Sequence, residues 1–314
     1  MDASPCVVGF IGDMDDSWIA AVADAISAGR QVHRVSCTGP LPRWPYEPPH
    51  LPRAVIIHRH NLSGADAERL REWRAAAGEP ACDLILCVSP YVRYEELERW
   101  SGLVDLVVSE AIASDVLPGR LARRLDGRGR RPTSPGSPAF RIEVAGGNGE
   151  LCRALVDACA QAGYTARVID DQEIGGKPHP QPRDRQAPAG ERVLTIWEVP
   201  VLEDGWPQRL DGRARRYGPV IAVAGFADRA VVGRAREAGA VTCLELPYDV
   251  DDLIDAVDRV ADQTSADSWP IPARVEAPHV LPPPRRNPRR HGDLVEPSMW
   301  SDRGPLPRIP SGGP

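Results

Sequence analysis

Short apolar runs alternate with amphipathic stretches along residues 6–260. In the first half the runs fall at 6–11, 32–37, 54–58, 84–88 and 104–108. Between them, apolar residues recur every three or four positions. Trp18, Ile19, Val22, Ala25 and Ile26 make one stripe, Leu70, Trp73 and Ala77 another, and helical patterns also cover 94–100 and 114–125. A stripe of that period lets a helix bury one face, whereas runs this short have the length of strands. The second half repeats the alternation. Its runs lie at 141–145, 166–169, 192–198, 220–224 and 241–246, with helical patterns at 150–162, at 206–217 and after Asp228 and Asp249. The runs are too hydrophobic for a sheet with one wet face, so they predict parallel sheets covered by helices on both sides. Asp15 or Asp16 stands where the first helix needs an N-cap.

The halves can be laid on each other. Residues 85–88 before Ser89-Pro90 match 220–223 before Ala224-Gly225, Ser101-Gly102-Leu103 matches Ala238-Gly239-Ala240, and Asp115-Val116-Leu117 falls on Asp252-Leu253-Ile254. Element order and spacing agree together, which marks an internal repeat. Two Gly/Pro-rich stretches interrupt the pattern, GRGRRPTSPGSP at 127–138 and GGKPHPQPRDRQAPAG at 175–190. The expected organisation is a domain at 5–127, a linker at 128–138, a second domain at 139–264 and a disordered Pro/Arg-rich tail at 265–314.

Composition changes this picture little. The 314 residues are 42% hydrophobic and 26% charged, enough for two ordinary domains. The net charge of −6 argues against a nucleic-acid-binding body. No apolar run approaches the ~20 residues of a membrane span, and MDASPCVVGF has no basic segment before its apolar stretch, so a cytoplasmic protein is expected. The seven cysteines include no pair with the spacing of a zinc or redox motif. Cys87, Cys152, Cys159 and Cys243 sit in strand or helix patterns as small buried hydrophobes.

Residues 218–260, GPVIAVAGFADRAVVGRAREAGAVTCLELPYDVDDLIDAVDRV, carry the most specific signal. An apolar run, a helix, Ala238-Gly239-Ala240, a second run ending at Pro247 and a last amphipathic helix resemble the final two strand–helix units of response-regulator receiver domains. The resemblance implies two flavodoxin-like (receiver-like) doubly wound parallel-sheet domains, each with strand order 2-1-3-4-5. It also implies a dimerisation or partner face around 226–236 and 247–258.

Working receivers gather metal-binding acids after strand one, an acceptor aspartate ending strand three, a hydroxyl ending strand four and a lysine ending strand five. In the second half these positions fall on Ala145-Gly146-Gly147, Glu198, Ala224 and Leu246, and Lys177 is the chain's only lysine. In the first half Asp13, Asp15 and Asp16 follow strand one, where they would either hold Mg2+ or cap the helix. His58-Arg59-His60 occupies the acceptor region, with Arg59 taken as the acceptor position, Ser89 as the hydroxyl and Ser109 as the lysine position. Glu198 could imitate a phosphorylated aspartate by its fixed charge; an ordinary strand-end carboxylate is the plainer reading. His58 and His60 lie two apart and could face one ligand, but no third ligand has an obvious spacing.

One rival motif stands out. Gly146, Gly147 and Gly149 follow a strand and open a helix, and Asp170 and Asp171 end the next strand, the setting of a dinucleotide fingerprint. Cys152 stands where its third glycine belongs. Trp197 and Trp206 read as core, while Trp269 and Trp300 in the tail suit either partner docking or folding of the tail back over a domain. The leading expectation is a non-catalytic signalling or scaffold protein of degenerate receiver-like domains, needing no cofactor and working through protein partners or self-association. The alternative is a Rossmann-type nucleotide-binding enzyme using the loop at 146–149, whose sheet would extend to six strands.

Overall fold

In the computed structural model of the protein, the described residues are 7–46, 51–61, 63–76, 82–127, 140–171, 174 and 192–265. The expected linker, the Gly/Pro-rich loop at 175–190 and the tail with Trp269 and Trp300 lie outside them. Both domains belong to one compact unit.

The first domain contains β1 (Val7–Gly12), α1 (Ser17–Ser27), β2 (Gln31–Ser36), β3 (Ala54–Arg59), α2 (Gly64–Ala76), β4 (Asp83–Val88), α3 (Tyr94–Ser101), β5 (Leu106–Ser109) and α4 (Ala113–Asp126). The second contains β6 (Phe140–Ala145), α5 (Gly149–Gln161), β7 (Thr165–Val168), β8 (Arg192–Val199), α6 (Trp206–Tyr217), β9 (Val220–Ala224), α7 (Arg229–Glu237), β10 (Ala240–Glu245) and α8 (Val250–Ser265). The first sheet runs β2-β1-β3-β4-β5 and the second β7-β6-β8-β9-β10, with every paired strand parallel. Each is the flavodoxin-like order 2-1-3-4-5, with no sixth strand among the described residues.

Burial follows strand position. β3 and β9 are buried along their whole length, as central strands covered on both faces must be. β2 and β7 are sheet edges, and their residues are exposed or half-buried. The helices start where the sequence supplies caps: the side chains of Asp16, Asn148 and Asp228 accept amides from the first turns of α1, α5 and α7.

The domains share a core. Ala113, Val116, Leu117 and Leu121 of α4 belong to the same apolar cluster as Leu253, Ile254 and Val257 of α8 and Cys243 and Leu244 of β10. Charged pairs ring this seam. Asp252 on α8, 3% exposed, accepts from Arg120 at 2.9 Å and from Arg123 at 2.9 Å, and Arg123 also pairs with Asp255. The Asp115 carboxylate on α4 accepts from Arg236 and from the backbone amide of Cys243, both at 3.0 Å. β10 is an edge of its sheet, so Asp115 satisfies an amide that no neighbouring strand reaches. Part of the surface that the receiver resemblance marks for a partner, including Arg229, Arg236 and Asp252, thus contacts the chain's own first domain. At its rim Phe226 and Val250 stay exposed.

Candidate functional site

In a doubly wound sheet, ligands and chemistry gather outside the carboxyl ends of the strands. Strand register gives the equivalent positions there. Ile11 pairs with Ile57 and Ala145 with Trp197, so the next residues, Gly12 with His58 and Gly146 with Glu198, are counterparts. Both glycines serve the same purpose. A Cβ on Gly12 would come 3.0 Å from the His58 Cβ, and one on Gly146 would come 2.6 Å from that of Glu198. His58, not Arg59, is thus the counterpart of Glu198 in the first domain. Side chains alternate along a strand, and Arg59 turns away to the carbonyl of Cys37 at 3.1 Å.

The lysine position shifts in the same way. Glu110 donates its amide to the Val88 carbonyl, as Leu246 does to that of Ala224, which makes Glu110 the counterpart of Leu246. Ser109 lies one residue earlier, half-buried, with its hydroxyl unpartnered. His58 pairs with Cys87 and Glu198 with Val223, so Val88 corresponds to Ala224 and Ser89 falls one residue beyond. The first domain therefore has an imidazole where the second has Glu198 and a carboxylate where the second has Leu246.

The cation comes from the other domain. Arg229, the first residue of α7, donates from Nε to Glu110 Oε1 at 2.8 Å, from one terminal nitrogen to Oε2 at 2.9 Å and from the other to Asp16 at 2.6 Å. The His58 Nε2 lies 2.7 Å from Glu110 Oε2, and the Trp18 indole donates to the Glu110 backbone carbonyl at 2.9 Å. Burial alone would raise the Glu110 carboxyl. Hydrogen bonds from His58 and Arg229, with the guanidinium charge, outweigh it and hold the group at about 2. Asp16 is held below the ordinary carboxylate range despite its own burial, by Arg229 and the Trp18 amide. Asp16 is thus the α1 cap and an ion-pair partner at once. Asp13 accepts the Asp15 amide at 3.0 Å, and Asp15 is exposed. These three aspartates form no metal-ligating group among the described residues.

His60 completes a different set. Its Nδ1 is 3.7 Å from Glu110 Oε2, and its ring meets that of His58 edge to face at 4.6 Å. The potential ligand atoms of His58, His60 and Glu110 all lie within 4.8 Å of one another. The first two were visible as a pair in the sequence; the third ligand was not.

The second domain's strand ends are quieter. Glu198 accepts the Asn148 backbone amide at 3.0 Å across Gly146. The Asn148 side chain itself accepts the amides of Glu150 and Leu151, so the first turn of α5 is already satisfied where a pyrophosphate would need it. Gly147 and Gly149 have no close neighbour that a Cβ would strike. Asp171 is held by the Trp197 indole at 2.7 Å and Arg209 at 3.0 Å, and Asp170 is exposed. The close approach for which a fingerprint glycine is needed is here made by Glu198.

No protein-family model and no curated protein matches the sequence. Solved structures similar to it include a response regulator from Thermotoga maritima (14% identity, 40% of this chain and 98% of that one, TM-score 0.32). A CheY-like receiver domain protein from Methanospirillum hungatei is 14% identical over 41% of this chain and 98% of its own, with TM-score 0.33. A putative pilus assembly protein from Burkholderia thailandensis is 19% identical over 40% and 99%, with TM-score 0.33. Each match spans one domain's share of the chain. The flavodoxin-like fold of both domains rests on the sheets described above. No helix among the described residues is long and apolar enough to cross a membrane.

Proposed function

We propose that this protein is a non-catalytic signalling or scaffold protein whose two receiver-like domains work through protein contacts and are not phosphorylated at the usual position. One observation carries the reading. The place where a receiver presents its acceptor carboxylate and lysine holds His58 and Glu110, with Arg229 of the second domain bound to that glutamate. An acceptor aspartate works because a cation and a lysine gather phosphoryl oxygens around it. Here the charge order is inverted and the guanidinium is engaged by two carboxylates. In the second domain Glu198 faces neither lysine nor hydroxyl, since Leu246 and Ala224 occupy those positions.

The test is incubation with acetyl phosphate and Mg2+, followed by intact mass. No phosphoryl group should be added, whereas an adduct on Glu198 or on any aspartate overturns the reading.

A further inference from the structure

We infer that His58, His60 and Glu110 form a binding site for a transition-metal dication, zinc in the first instance, whose occupation competes with Arg229 for Glu110. The donor set is two imidazoles and one carboxylate, which suits zinc better than the all-oxygen shell that Mg2+ requires. Zinc holds such ligands at about 2.0–2.2 Å, which sets them roughly 3.3 Å apart around a tetrahedral ion. His58 Nε2 and His60 Nδ1 stand 2.7 and 3.7 Å from the same oxygen, Glu110 Oε2, on either side of that spacing. At 3.7 Å the His60 nitrogen is beyond hydrogen-bonding range, so nothing in this contact has to be broken for it to turn toward an ion. Access is built in. His58 and Glu110 are buried, but the His60 side chain is 52% exposed and forms the solvent edge of the cluster.

The first domain alone supplies all three ligands, and the second supplies their competitor. A dication on Glu110 Oε2 replaces the proton that His58 now shares with that oxygen and repels the guanidinium 2.9 Å away. Arg229 retains Asp16 as a partner at 2.6 Å, so it has somewhere to go. Metal binding and the Arg229 contact are therefore coupled through one carboxylate, with opposite signs.

The experiment uses the untagged full chain, stripped of metal by a chelator and titrated with Zn2+ by calorimetry and with Co2+ by visible absorption. One equivalent should bind, with Co2+ bands of low-coordinate nitrogen and oxygen ligation. His60→Ala, altered at a half-exposed position that leaves the buried pair intact, should weaken binding at least tenfold. Glu110→Gln should abolish it, with circular dichroism confirming the fold. Arg229→Met should strengthen binding by about tenfold. The inference is overturned if no saturable binding occurs, if His60→Ala binds as tightly as the parent, or if Co2+ shows a thiolate charge-transfer band. It is equally overturned if Arg229→Met binds no better. None of these outcomes depends on whether acetyl phosphate modifies the chain.

Discussion

The two domains present the same backbone positions at their strand ends and balance charge there in different ways. In the first, Gly12 faces His58, and Glu110 is a buried carboxylate whose cation, Arg229, arrives from the second domain. In the second, Gly146 faces Glu198, and that acid needs only the amide of Asn148, a residue of its own domain. A buried carboxylate is costly unless paired, so the first site is electrostatically complete only with the second domain docked. The second site asks nothing of the first. One half thus has a domain–domain contact where the other has a local turn.

Removing the arginine should break this contrast most strongly. Arg229→Ala leaves Glu110 and Asp16 without their shared cation, and deleting one partner of a buried pair costs several kcal/mol. The Arg229 side chain is 30% exposed, which places the expected loss near the lower end, about 3 kcal/mol by urea unfolding. Arg153→Ala, removing an exposed arginine that donates to the Gly149 carbonyl, should cost less than about 0.5 kcal/mol. Equal losses in the two variants would mean that Arg229 is not what completes the first site.

The fold was legible because strand and helix periods are local properties of the chain. α6 was read at its observed bounds, and β3 ends one residue beyond the run ending at His58. β5 begins at Leu106 rather than Val104, because the Asp105 carboxylate before it is bound by Arg74 and the Leu84 amide. The site was legible only in part. His58 and His60 were paired by spacing, but Glu110 lies 52 residues from His58 and Arg229 another 119 further on. No periodicity links such positions. Which residue of 58–60 is the counterpart of Glu198 was not readable, because β3 is buried on both faces and polarity gives no sign of which side chains turn toward the strand ends. The contact of that face with the first domain was not readable for a related reason. A surface that suits a second molecule suits a tandem domain equally well, and sequence does not distinguish the two.

A buried acid with partners inside its own domain sharpens the comparison. Glu143 on β6 is surrounded by Arg141 at 3.1 Å, Arg167 at 3.2 Å and Arg213. Burial pushes its carboxyl up, but hydrogen bonds and charge from Arg167 and Arg213 prevail and hold it below the ordinary value of 4.5. A lowered folded pKa means stability that is full above the ordinary carboxyl range and is lost as pH falls through it toward the folded value. Glu143→Gln should cost about 2 kcal/mol at neutral pH, since it removes charge-assisted hydrogen bonds. It should also lose less stability than the parent as the pH falls from about 6 to about 3. Parallel pH profiles for variant and parent would show that Glu143 does not contribute to acid sensitivity.

The smallest effect is expected at Glu198. Glutamine keeps a side-chain oxygen for the Asn148 amide, and among the described residues no cation is bonded to the carboxylate it replaces. Glu198→Gln should therefore change the unfolding free energy by less than about 1 kcal/mol, the scale of one ordinary hydrogen bond. The same substitution at Glu110, which accepts from His58 and Arg229, should cost several times more. Measuring both variants in one denaturant series compares the two strand ends at equivalent depth in the fold. If Glu198→Gln costs as much as Glu110→Gln, the acid of the second domain carries a charged interaction too. The distinction between a self-sufficient site and a borrowed one would then fail.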